Sequence, residues 1–202
     1  PAAVGYAIDN VKALVAAAPS VAELAILGKL TAPMRHRWYK RNVDVVVVDA
    51  YATGQFMALL RAPRGLAKTA ASGPMHTHTT AITRLLSDAT LCEYRVVTLA
   101  EELPIAEAGE LARAIREETG IAAGLYLNRL IDLPARLPAV AVNDPTRPFI
   151  AQMGRVAARQ RESLEALDEL RADRSGPVCR LPLIPSTNVD RLLAGLVEKD
   201  PK

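Results

Sequence analysis

Asp49 closes the run "VDVVVVD" at residues 43–49, and "AYATGQ" follows it. A carboxylate at the end of an apolar strand suits a hard cation. Magnesium takes one or two such oxygens and leaves its other positions to water and phosphate. The small residues Ala52, Thr53 and Gly54 let backbone N–H groups approach an anion. Two further features sit at the ends of apolar runs. Asn128 closes "IAAGLYLN", and its carboxamide offers a donor and an acceptor side by side. "RLPLIP" sets Pro182 and Pro185 around Leu183 and Ile184. Each has a plainer reading: an aspartate that caps the next helix, an asparagine in a turn, a proline chain reversal.

Elements that position these residues follow from periodicity. Val4, Ala7, Ile8, Val11, Leu14 and Val15 recur at helical spacing. "PSVAEL" offers Ser20 and Glu23 as a capping box for a second helix, with Gly28 as its stop. The all-apolar run Val43–Val48 predicts a strand buried on both faces, as parallel sheets require. "QFMALLRAP" predicts a short helix closed by Pro63, and "GPMHTHTTAITRLLSD" another with Ile82, Leu85 and Leu86 inward. "YRVVTLA" is a strand. "PIAEAGELARAIREE" is an amphipathic helix opened by Pro104, with Ile105, Ala108, Leu111, Ala112 and Ile115 on one face. "IAAGLYLN" is a strand, and residues 130–148 read as an irregular connection. A long charged helix runs from Phe149 to Asp173, "VCRLPLIP" is a strand, and Val189, Leu192, Leu193, Leu196 and Val197 form a last helix.

Strands alternating with helices predict one α/β domain over 1–202 with a mainly parallel sheet, and helical segments around 1–41 and 55–90. Ligands of such sheets bind beyond the carboxyl ends of the strands, where Asp49, Asn128 and residues 183–185 fall. The chain has 202 residues, is 50% apolar and carries a formal net charge of +3, without the concentrated basic face of a nucleic-acid binder. Its densest basic run, "RHRWYKR" at 35–41, reads as a solvated helix end, with a phosphate-binding patch as the minority reading. Two separated cysteines, Cys92 and Cys179, and no C-x-x-C argue against a thiolate zinc site and fit a reduced, cytoplasmic protein. His76 and His78 are two apart, so on a helix they do not share a face for a metal.

"VDVVVVDAYATGQFMALLRAP" resembles the arsenical-pump ATPase family, which includes the guided-entry ATPases for tail-anchored membrane proteins. In that family the strand ends in D-[TA]-[AP]-P-T-G-[HR]. Asp49, Thr53 and Gly54 fit, whereas Ala52 replaces the usual proline and Gln55 the usual basic residue or histidine. "ELAILGKL", "GPMHTHTTAITRLLSD", "VVTLAEELPIAEAGELARAI", "LYLNRL" and "RLPLIP" follow the family's order, with Ala100 in place of a proline. The similarity covers nearly the whole chain.

The resemblance implies a P-loop NTPase-like fold of the nucleotide-switch (SIMIBI) type. It implies ATP and Mg2+ as cofactors: Asp49 on magnesium, Thr53 and Gly54 in the loop that senses the γ-phosphate, Asn128 on the adenine edge, and Pro182, Leu183, Ile184 and Pro185 walling the adenine. It further implies a homo- or heterodimer with a related subunit, and a hydrophobic client, a membrane protein or an anion pump as partner. The family's glycine-rich loop, G-x-x-x-x-G-K-[ST], is not found in 1–202. "RAPRGLAKT" ends in Lys68-Thr69, but Ala67 stands where glycine is needed, so this segment reads as a helix. The expectation is a C-terminal portion of a longer ATPase that lacks the first strand and the phosphate loop and does not hydrolyse ATP alone. Scattered cysteines make arsenite transport doubtful. The changed residues Ala52, Gln55 and Ala100 keep a second reading open, a non-catalytic scaffold or degenerate paralogue pairing with an active subunit. A third is another nucleotide switch, such as a chromosome-partitioning or metal-insertion ATPase. An apolar client surface around Phe56–Leu60 and Met75–Leu86 competes with the reading that Met57, Leu59, Leu60 and Met75 are core.

Overall fold

A computed structural model describes residues 21–35, 44–69, 72–131, 133, 141, 143–171, 176–184 and 188–197. The first expected helix, Ser20, Pro185 and most of the basic run at 35–41 lie outside these. The described elements run in order α1 (Val21–Arg35), α2 (Thr53–Thr69), α3 (Pro74–Leu86), β1 (Arg95–Leu99), α4 (Glu102–Thr119), β2 (Gly124–Leu130), α5 (Arg147–Arg171), β3 (Val178–Pro182) and α6 (Val189–Val197). The class is α/β: a small parallel sheet of three strands, flanked by helices. The chain divides into two compact units. One takes residues 1–93 with 117–121; the other takes 94–116 with 122–202.

The first unit is helical. Leu24 and Leu27 of α1, Leu59 of α2 and Ile82 of α3 form its core, with Leu66 and Leu86 packed against them. Ile82 is fully buried and Leu85 nearly so, as the spacing predicts. Burial of a side chain of this size contributes about 1.5–3 kcal/mol. Met57, Leu59 and Leu60 are buried, so the core reading holds for them, and Met75 alone of that set is exposed.

Two helix boundaries differ from expectation. Pro63 does not end α2, which continues to Thr69. The proline ring is fully buried, so packing outweighs the missing N–H at that turn. The segment around Lys68-Thr69 is accordingly helix. Gly28 does not end α1 either, which runs on to Arg35. A Cβ at Gly28 would stand 3.1 Å from Nε2 of His78 on α3, so the glycine makes room for a neighbouring helix.

Arg35 is not a solvated helix end. Its Nη2 donates to the Gly28 carbonyl (2.9 Å) and its Nε to Thr31 Oγ1 (2.8 Å). Nη1 lies 3.2 Å from His78 Nδ1. A guanidinium only donates, so this contact requires Nδ1 to accept and the imidazole proton to sit on Nε2. Burial lowers the Arg35 pKa below its usual value.

The expected strand at 43–48 is not present in the described part, residues 44–48. Val45 and Val47 are 75% and 88% exposed, and none of these residues pairs in the sheet. A strand exists through its ladder, and an apolar run that joins no ladder is not one, whatever its β-branched composition.

In the second unit the sheet order is β1-β2-β3, with Val96 beside Leu125 and Thr98 beside Leu127. These four side chains share a buried face. On the opposite face the Arg95 guanidinium sits 5.2 Å from the centroid of the Tyr126 ring, and Val97 is exposed. α4 begins two residues before Pro104, and Ile105, Ala108 and Ile115 are buried from it while Leu111 and Ala112 are half-buried. Asn128 does not end β2, which extends to Leu130. Asn188 caps α6, its Oδ1 accepting from the N–H groups of Asp190 (2.9 Å) and Arg191 (3.2 Å). No helix among the described residues is long and apolar enough to cross a membrane.

Gly28→Leu should overpack the α1–α3 contact and lower stability by about 1–3 kcal/mol. Ile82→Ala should cost about 2–5 kcal/mol. Urea unfolding of both variants measures these losses, and wild-type midpoints would refute the packing described here.

Candidate functional site

Asp49, Thr53 and Gly54 belong to the first unit, whereas Asn128, Pro182, Leu183 and Ile184 belong to the second. Each group is described within its own unit.

In the first unit Asp49 is exposed and precedes a helix rather than ending a strand. Phe56 N–H donates to the Ala52 carbonyl (3.0 Å), which makes Ala52 the residue at which α2 starts. Thr53 and Gly54 are therefore the first turn of α2, not a separate loop. The first amides of a helix have no carbonyl of their own turn to bond, and the helix end carries partial positive charge. Open space surrounds the place a Cβ would take at Gly54, so no packing contact among the described residues demands glycine there.

In the second unit the carboxyl ends of three parallel strands share one edge. β1 runs through Ala100 into α4, whose first bond joins Ile105 N–H to the Glu101 carbonyl (3.0 Å). β2 bulges at this edge. Leu127 pairs with Arg180 and Leu130 with Pro182, so Asn128 and Arg129 together face Leu181 alone. Arg129 has φ 57°, the left-handed region, which costs a residue with a Cβ about 1–2 kcal/mol. Its N–H donates to Asn128 Oδ1 (2.9 Å). Beyond the bulge Leu183 N–H donates to the Leu130 carbonyl (2.7 Å), which continues the ladder to the proline loop. Leu183 is exposed; Pro182 and Ile184 are half-buried.

One participant escapes sequence reasoning. Gln160, midway along α5, donates from Nε2 to the Arg129 carbonyl (3.1 Å) and accepts at Oε1 from Ile131 N–H (2.9 Å). Its carboxamide thus mimics a strand partner. A single glutamine in a charged helix carries no sequence signal of this.

Among the described residues no group of three or more His, Cys, Asp or Glu is arranged to hold a metal ion. His78 faces Arg35. Both cysteines are free. Burial, and then the Asp88 carboxylate, push the Cys92 thiol above its usual pKa. The two Thr90 hydrogen bonds hold the Asp88 carboxyl below its usual range. Compared with known proteins, the chain matches no family model and no curated protein.

Cys92 is predicted to alkylate more slowly than a free thiol at pH 8, because its thiolate fraction is depleted. Asp88→Asn should speed the reaction by removing the nearby negative charge. Iodoacetamide labelling followed by mass spectrometry reads both rates; equal rates in the two proteins would exclude a role for Asp88.

Proposed function

We propose that the full-length protein is an ATP-binding and hydrolysing dimeric switch of the arsenical-pump or guided-entry type. The observation that carries the reading is the bulged end of β2. Asn128 is displayed at the carboxyl edge of a parallel sheet beside the Pro182–Ile184 segment, the edge at which open α/β sheets take their ligands. The order of motifs along the chain supports it.

In this reading Asn128 meets the adenine edge and the segment from Pro182 to Pro185 walls the ring. Thr53 and Gly54, at the start of α2, take the γ-phosphate. A lone carboxylate fits a magnesium ion whose remaining ligands are phosphate oxygens and water, so Asp49 is its protein ligand. The ion supplies charge neutralisation on the transferred phosphoryl group. Nucleotide between two subunits closes the dimer, and hydrolysis reopens it. The partner is a hydrophobic client or a membrane protein.

A second reading is a non-catalytic scaffold that pairs with an active ATPase subunit. The exposed, unpaired segment ending at Asp49 favours it, because a magnesium ligand works best on a rigid strand.

Magnesium-dependent turnover by the full-length protein, and none by residues 1–202 alone, is the expected result. A full-length protein that binds ATP without turnover would favour the scaffold. Gly54→Ala should leave the unfolding midpoint unchanged, since its Cβ meets open space, while lowering turnover at least about tenfold if the backbone there approaches phosphate. Unchanged turnover would remove Gly54 from the site.

A further inference from the structure

We propose that Gln160 is the residue that positions Asn128 for base recognition, and that this arrangement selects adenine over guanine. The inference rests on the nucleotide reading above and deepens it.

The geometry runs through one chain of contacts. Arg129 adopts a left-handed conformation although it carries a Cβ, so something must hold it. Gln160 bonds the carbonyl of Arg129 and the N–H of Ile131, the two peptide groups that flank Leu130 directly after that strained residue. Both bonds come from one carboxamide, so neither peptide can rotate without breaking at least one of them. The first of these bonds holds the peptide that follows Arg129, and the left-handed φ of that residue then sets where its own N–H points, toward Asn128 Oδ1. That bond in turn decides which way the Asn128 carboxamide faces. One lone pair of Oδ1 is taken by the backbone. The second lone pair and the two hydrogens on Nδ2 remain for a ligand.

A donor beside an acceptor matches adenine, whose exocyclic amino group donates and whose adjacent ring nitrogen accepts. Guanine has an oxygen in place of that amino group. Its O6 would face the remaining lone pair of Oδ1 and its N1–H would face the Nδ2 donor, so like would oppose like, whereas a turned-over carboxamide would match both. Without the Arg129 N–H the Asn128 carboxamide is free to turn over, and this preference is lost. The staple therefore acts on specificity through Asn128, not by touching the base.

Gln160→Met keeps the length and the helix propensity of the side chain and removes both hydrogen bonds. The test uses the full-length protein, with a fluorescent ATP analogue as probe and ATP, GTP and tripolyphosphate as competitors. We expect Gln160→Met to weaken ATP about tenfold, to bring the ATP-to-GTP preference close to one, and to leave tripolyphosphate competition unchanged. Asn128→Ala should give the same pattern. Equal loss of tripolyphosphate would assign Gln160 a merely structural role and overturn the inference. Wild-type discrimination in Gln160→Met, with discrimination lost in Asn128→Ala, would overturn it while leaving the nucleotide reading intact. A wild-type protein that binds no nucleotide would overturn both. Should Gln160→Met fail to fold, Gln160→Glu keeps the acceptor for Ile131 and loses the donor to Arg129. It is expected to show the same selective loss, and wild-type discrimination in it would overturn the inference.

Discussion

Every buried N–H and C=O in this protein must find a partner, and the second unit is arranged around that requirement. β2 satisfies it on one side against β1 and on the other against β3, until the ladder slips by a residue at Asn128 and Arg129. The groups left over at the slip, at the exposed end of the sheet, still find protein partners. Gln160 takes a carbonyl and an N–H, Asn128 takes another N–H, and the ladder resumes at Leu183. The left-handed backbone at Arg129 is affordable because those bonds are in place. Sheet, bulge and display of Asn128 are thus consequences of one rule about unpaired backbone groups.

The first unit solves a different problem, how three helices approach closely. Its apolar core supplies the driving force, and the detail lies in the polar contacts around Gly28. A missing Cβ admits His78, and Arg35 folds back along its own helix to reach a carbonyl, a hydroxyl and the imidazole. Buried threonines follow the same economy: Thr31 and Thr79 donate their hydroxyls to carbonyls of the preceding turn, so neither carries an unmet polar group into the core. None of the buried side-chain polar atoms among the described residues is left without a hydrogen bond.

Much of this was legible in the sequence, and the parts that were not share a cause. Helices α3 to α6 and strands β1 to β3 announce themselves by period, since Ile82, Ile105 and Ile115 recur on inward faces and Leu125 alternates with Tyr126. Gly28 and Pro63 mislead because their usual effect is local, whereas here a neighbouring helix or the surrounding core decides. Val45 to Val48 mislead in the opposite sense: β-branched residues favour a strand only where another strand is available to receive them. The bulge at Asn128 was invisible for the same reason, because its stabilising group stands 31 residues away from the Arg129 carbonyl it bonds. Asp49, Thr53 and Gly54 were singled out by motif, and Asn128 by motif and position. The backbone that aims Asn128 was not.

The open run from Val45 to Val48 bears on how the protein behaves in a crowded solution. Four consecutive β-branched apolar residues, all exposed, have the composition to which an identical run on another molecule can add as a strand. Only Asp44 and Asp49 bracket it, and paired side by side in register they would repel one another.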